Sequence, residues 1–165
     1  MTFRFNADEV FEIAEEIERS GARFYRKAAE AADDSKLKKT LIDLAEMEVE
    51  HEQTFRKLRA QSVQEEWTHV PFDEDGQAGM YLRALASGKV FDIKVDPVKE
   101  LEGCRNTEDV LHAAIRLEKE SLVFYTGMQE MVPPKLGGDL ISAIIGEEMG
   151  HIATLAHALE ELKGE

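Results

Sequence analysis

Two copies of the pattern Glu-x-x-His stand in this chain, Glu48 with His51 and Glu148 with His151, and a further Glu lies thirty residues before each pair, at Glu18 and Glu118. In a helix, residues three apart point to the same side. Each pair can therefore offer a carboxylate oxygen and an imidazole nitrogen to a metal ion at one level. Mixed oxygen and imidazole ligation suits iron or manganese, whereas structural zinc favours closed sets rich in thiolates. The single cysteine, Cys104, excludes both a four-cysteine knot and an intrachain disulfide.

The surroundings of these acids separate them from the rest. The stripe Leu37, Leu41, Leu44, Glu48, His51, Phe55, Leu58 alternates spacings of four and three, which is one face of a helix. Ile141, Ile144, Glu148, His151, Leu155, Ala158 and Leu162 repeat it. Two more stripes carry one acid each at mid-length: Phe11, Ala14, Glu18, Gly21, Tyr25, Ala28 and Leu111, Ala114, Glu118, Ser121, Tyr125, Met128. Glu15, Glu16, Glu46, Glu50, Glu120 and Glu147 fall mostly off the stripes and read as solvated surface. A carboxylate on an apolar face is costly to bury unless it is paired or binds metal, and no lysine or arginine shares these stripes near the four acids. Two divalent cations would balance four carboxylates, with the histidines as neutral ligands. The expected metal ligands are Glu18, Glu48, His51, Glu118, Glu148 and His151.

Four long helices must position this set, over about 7–32, 35–61, 107–131 and 136–162. Asn6 with Glu9 reads as an N-cap arrangement for the first, and Asn106 with Asp109 opens the third. Asp33-Asp34-Ser35 separates the first two helices, and Pro133-Pro134 ends the third. The connection 62–105 contains Pro71, Gly76, Gly79, Gly88, Pro97 and Gly103. A short helix at 77–86 and a helical turn at 97–102 are expected within it. Two tightly joined helical pairs with one long crossover predict an all-α, ferritin-like four-helix bundle forming a single domain over residues 1–165. The halves also repeat at an offset of 100, without a gap: Glu18, Phe24, Tyr25, Glu48 and His51 recur as Glu118, Phe124, Tyr125, Glu148 and His151. This is the mark of a duplicated helical hairpin.

Tyr25 and Tyr125, one heptad beyond Glu18 and Glu118, are expected to hydrogen-bond ligand carboxylates from behind. Phe24, Phe55 and Phe124 read as core. Gly21, Ser121, Gly146 and Gly150 either leave room for an oxygen species at the metal or permit close packing. His69, His112 and His157 have no matched partners and read as surface or core residues. Cys104 and Trp67 are expected to pack in the connection.

The formal net charge of −14 argues against a nucleic-acid partner and disfavours anionic membrane surfaces. No apolar run approaches the roughly 18 residues of a membrane span, and the first residues lack a secretory pattern. A cytoplasmic location is the expectation.

The motifs Glu18–Tyr25, Glu48-Val-Glu-His51, Glu118–Tyr125 and Glu148-Met-Gly-His151 resemble the rubrerythrin branch of the ferritin-like superfamily. The resemblance covers the four helices and implies two iron ions, Glu18, Glu48 and His51 serving one, Glu118, Glu148 and His151 the other, with Glu48 and Glu148 bridging. It implies reduction of hydrogen peroxide or dioxygen, and a homodimer. The chain departs from the family in two respects. It lacks the cysteines of a rubredoxin domain, so electrons would come from a separate donor protein. It also has Ser121 where rubrerythrins carry an extra Glu that changes its contact with iron on redox change. The nearer likeness is to short, symmetric rubrerythrin-like proteins.

Three functions compete: an oxidoreductase acting on peroxide or dioxygen, a ferroxidase or iron-handling protein, and a non-catalytic module holding a structural or sensory metal.

Overall fold

The structure, a computed structural model, describes residues 7–64, 77–85 and 95–164. Among these residues there is no strand. The helices are α1 (Ala7–Ala31), α2 (Ser35–Gln64), α3 (Gln77–Ala84), α4 (Val98–Glu102), α5 (Thr107–Met131) and α6 (Gly138–Lys163), with a 3-10 turn at Pro134–Leu136. Asn6, Trp67 and His69 lie outside the described residues.

The helix ends follow local chemistry. Asp34 Oδ1 accepts the Leu37 N–H at 2.7 Å, so the acid that breaks the chain after α1 also caps α2. Asn106 Oδ1 accepts the Asp109 N–H at 2.8 Å at the start of α5. The fourth long helix begins at Gly138 rather than near 136. Pro133 and Pro134 first drive a 3-10 turn, and Gly137 reverses the chain at φ 109°, a conformation that favours glycine. Gly164, at φ 72°, closes α6.

α1 packs on α2 and α5 on α6; α1 also meets α5, and α2 meets α6, giving the four-helix bundle. Its interior is two apolar clusters. One joins Phe11, Phe55, Phe124, Met128 and Ile141 near the start of α1, the end of α2, the end of α5 and the start of α6. The other joins Phe24, Leu41, Leu44, Leu111 and Leu155 near the opposite ends of the same helices. The start of α1 therefore shares a bundle end with the end of α5, and these neighbours run antiparallel. That arrangement explains the long crossover: α2 finishes at one end of the bundle and α5 starts at the other, about 37 Å away for helices of this length. The crossover is anchored at both ends. Leu82 and Leu85 join the first cluster, and Leu101 and Cys104 pack against the second. In α3, the Tyr81 hydroxyl donates to the Val123 carbonyl at 3.0 Å. A side chain at Gly127 of α5 would collide with the Tyr81 ring, so this glycine admits α3 to the bundle.

Some stripe positions differ from expectation. Leu162 is 50% exposed, and Leu159 closes the α6 face in its place. Gly146 and Gly150 face solvent, and an added Cβ at either meets nothing within 4 Å. They neither shelter a ligand nor permit close packing. His112 and His157 are exposed.

Candidate metal centre

Between the two apolar clusters lies a polar layer. Glu18, Glu48, His51, Glu118, Glu148 and His151 are each at most 3% exposed. The middle of every long helix contributes to it, because each acid sits at mid-stripe. Donor atoms of Glu18, Glu48, His51 and Glu148 lie within 4.8 Å of one another, and so do those of Glu48, Glu118, Glu148 and His151. Glu48 and Glu148 belong to both sets. The two imidazoles stack across the layer, with ring centroids 5.7 Å apart and planes at 17°.

The contacts within the layer run both within and between the halves. His51 Nδ1 lies 2.8 Å from Glu148 Oε1 and 3.5 Å from Glu18 Oε2. His151 Nδ1 lies 3.2 Å from Glu48 Oε1, 3.4 Å from Glu118 Oε1 and 3.6 Å from Glu148 Oε2. The Tyr25 hydroxyl donates to Glu118 Oε1, and the Tyr125 hydroxyl donates to Glu18 Oε1 at 2.5 Å. Each tyrosine thus supports the carboxylate of the other half. Burial, reinforced by the acids around them, holds both phenols well above their ordinary pKa, so they stay protonated and act as donors.

The electrostatics without metal are those of a crowded acid cluster. Burial raises Glu48 and Glu118 far above the usual carboxylate range and raises Glu18 as well, with neighbouring acids adding to the effect. Glu148 goes the other way. Burial would raise it, but Glu118 and both histidines outweigh burial and hold it ionised. Burial would also lower the histidines, yet the adjoining carboxylates push His51 up to about 11 and His151 up to about 12. Protons thus take the place of cations in this layer.

The residues fit a pair of metal ions on a second ground. Glu18 Oε2, Glu48 Oε1, His51 Nδ1, both Glu148 oxygens and both His151 nitrogens are buried without a hydrogen bond. They approach one another closely, yet in geometries that leave lone pairs unused. Buried polar atoms are otherwise almost always satisfied. Cations of matching charge would satisfy these, since four carboxylates oppose two divalent ions.

Of the acids placed on the surface by sequence, Glu15 is buried, and Glu147, though exposed as expected, reaches the layer. Glu15 is 5% exposed, because Arg19, Arg56 and Arg59 surround it within 3.8 Å. Glu147 keeps an exposed side chain, yet its Oε2 accepts from His51 Nε2 at 2.6 Å. The small residues near the site divide. A Cβ on Gly21 would fall 2.6 Å from Glu48 Oε2, so glycine makes room for that carboxylate. The Ser121 hydroxyl donates to the Leu117 carbonyl of its own helix at 3.1 Å. Both residues line a cavity of about 270 Å³ that also borders Ile17, Tyr25, Glu48 and Glu118.

Fold and cluster together define the class: a four-helix bundle with a buried carboxylate–histidine layer suited to metal binding. The chain belongs to the family described as the ferritin-like domain, whose model matches residues 6–161. It is also similar in fold to a solved structure from Thermotoga maritima, of a protein assigned provisionally to the ferritin-like diiron-carboxylate class. The TM-score is 0.73 and the identity 23%, over 98% of this chain and 99% of that one. No curated protein matches the chain. No helix among the described residues is long and apolar enough to cross a membrane.

Proposed function

We propose that the protein is a rubrerythrin-like di-iron oxidoreductase that reduces hydrogen peroxide or dioxygen with electrons from a separate donor protein. The observation that carries this reading is the pair of overlapping donor sets sharing Glu48 and Glu148. The similarity to a protein of the diiron-carboxylate class supports it. Glu18, Glu48, His51 and Glu148 would hold one ion, and Glu48, Glu118, Glu148 and His151 the other. Two iron(II) ions held there would supply one electron each and Lewis acidity, which matches the two electrons and two protons that convert hydrogen peroxide to two waters.

The protein's own groups do the rest. Tyr25 and Tyr125 fix Glu118 and Glu18 by hydrogen bonds. Gly21 and Ser121 keep open the cavity that reaches Glu48 and Glu118, giving a small oxidant a way in. At Ser121 no carboxylate is available to change its contact with the metal, so the ligand set itself must accommodate the charge change. We take the protein to act in the cytoplasm and, on the family resemblance, as a homodimer.

The test is stopped-flow mixing of anaerobic protein, loaded with two equivalents of iron(II), with peroxide or with dioxygen, read by near-ultraviolet absorption of the oxidised centre. Fast oxidation by peroxide and slow oxidation by dioxygen is the expected result. Fast oxidation by dioxygen with uptake of iron beyond two per chain would replace this reading with a ferroxidase. Inertness to both would leave a non-catalytic metal site.

A further inference from the structure

The two metal positions are built from equivalent residues, but their histidines are not equally supported. A metal takes the lone pair of Nδ1 only if the proton sits on Nε2, and an acceptor on that N–H fixes the tautomer, orients the ring and raises the basicity of the ligating nitrogen. His51 has such an acceptor in Glu147 Oε2, at 2.6 Å. His151 has none: its Nε2 is buried and without a hydrogen bond. The cause lies in the repeat. At the offset of 100, the counterpart of Glu147 is Met47, which brings no carboxylate.

A second, independent difference points the same way. The cavity borders Glu48 and Glu118 but not Glu18, His51, Glu148 or His151. One edge of the Glu48–Glu118–Glu148–His151 set is therefore open, while the Glu18–His51 side has no contact with that cavity.

We propose that Glu147 is a positioning residue that makes the centre unequal: the ion at Glu18, Glu48, His51 and Glu148 binds first and tightly, and the ion at Glu48, Glu118, Glu148 and His151 binds second, exchanges more readily and faces the oxidant. This rests on the metal-centre reading above.

The test is anaerobic calorimetric titration of the full chain with iron(II). Wild-type protein is expected to bind two ions in two resolved steps. Glu147→Gln keeps the size of the side chain but puts a neutral, weaker acceptor where the carboxylate meets His51; it should weaken the tighter step by about 10- to 100-fold and spare the weaker one. Met47→Glu supplies the missing acceptor and should tighten the weaker step. His51→Ala should abolish the tighter step and His151→Ala the weaker one. Two indistinguishable steps in the wild type, or equal weakening of both by Glu147→Gln, would overturn the inference while leaving the metal centre standing. No binding of iron(II) by the wild type would overturn the metal-centre reading and this inference with it.

Discussion

The N-terminal hairpin of α1 and α2 and the C-terminal hairpin of α5 and α6 each place two glutamates, one histidine and one tyrosine at matching positions, yet their electrostatics diverge. Glu48 and Glu148 are counterparts. Glu148 approaches both histidines and is held ionised. Glu48 approaches only His151, and burial with the neighbouring acids raises its pKa well above the usual carboxylate range. One visible difference lies at the position of Gly21, which faces Glu48. Gly21 lets the Glu48 carboxylate lean toward α1, whereas the matching position on α5 is Ser121, which already carries a Cβ. A duplicated hairpin fixes where the ligands fall. The neighbours that differ between the copies decide what charge each ligand bears. Inequality in a symmetric frame needs only one or two substitutions outside the ligand set.

The sharpest way to break the comparison is to neutralise the two counterparts separately in metal-free protein. Glu148→Gln removes the carboxylate charge that both buried histidines approach. It should cost about 3–5 kcal/mol, the usual penalty for breaking a buried ion pair from one side. Glu48→Gln replaces an acid that burial pushes toward its neutral form with an amide of similar shape and should cost under about 1 kcal/mol. Urea unfolding of both variants in chelator measures the difference, and equal losses would mean that the charge is not localised on Glu148.

The tyrosines should show the opposite behaviour, since their contacts cross symmetrically between the halves. Tyr25→Phe leaves Glu118 Oε1 without its donor, and Tyr125→Phe does the same to Glu18 Oε1. Each should destabilise the protein by about 1–3 kcal/mol, as for a buried acceptor left unsatisfied. The two values should agree to within about 0.5 kcal/mol, given equal burial. A large difference in thermal unfolding would show that the halves are unequal at the tyrosines too.

Proton linkage sharpens the same picture. His51 and His151 are raised to about 11 and about 12, above the ordinary histidine value near 6.5. In metal-free protein their stabilising contribution is therefore complete below about pH 6.5, declines as pH climbs above it and is gone once pH has passed through 11 to 12. At neutral pH both imidazoles hold protons that a metal must displace. Metal affinity should rise with pH, by about tenfold per unit for each proton released. Calorimetry in buffers of different ionisation enthalpy counts those protons, and a count of zero would contradict the raised histidines.

The six clustered residues were legible in sequence because burial of a charge contradicts the apolar stripe around it, and that contradiction recurs four times in register. The crossover was legible as a length, and its anchoring by Leu82, Leu85 and Leu101 follows from apolar residues at helical spacing. Glu147 was not legible. It lies off the stripe, its side chain is 53% exposed, and only the placement of α6 against α2 brings it to His51. The arginines that bury Glu15 come from two helices, so no single stripe records them. Gly146 and Gly150 invited a functional reading because small residues near a ligand can serve it, but a helix has two faces and these residues lie on the outer one.

That outer face gives the smallest of the expected effects and the last contrast between the halves. The counterparts of Gly146 and Gly150 on α2 are Glu46 and Glu50, which are good helix formers on the same exposed face. Glycine in a helix interior costs about 0.5–1 kcal/mol relative to alanine through backbone entropy. Because an added Cβ meets nothing at either position, Gly146→Ala and Gly150→Ala should each stabilise the protein by that amount in urea unfolding, with metal binding unchanged. A loss of stability in either variant would show that the outer face of α6 is not free in the folded protein. The matching face of α2, with its two glutamates, would then be the only one of the pair turned wholly to water.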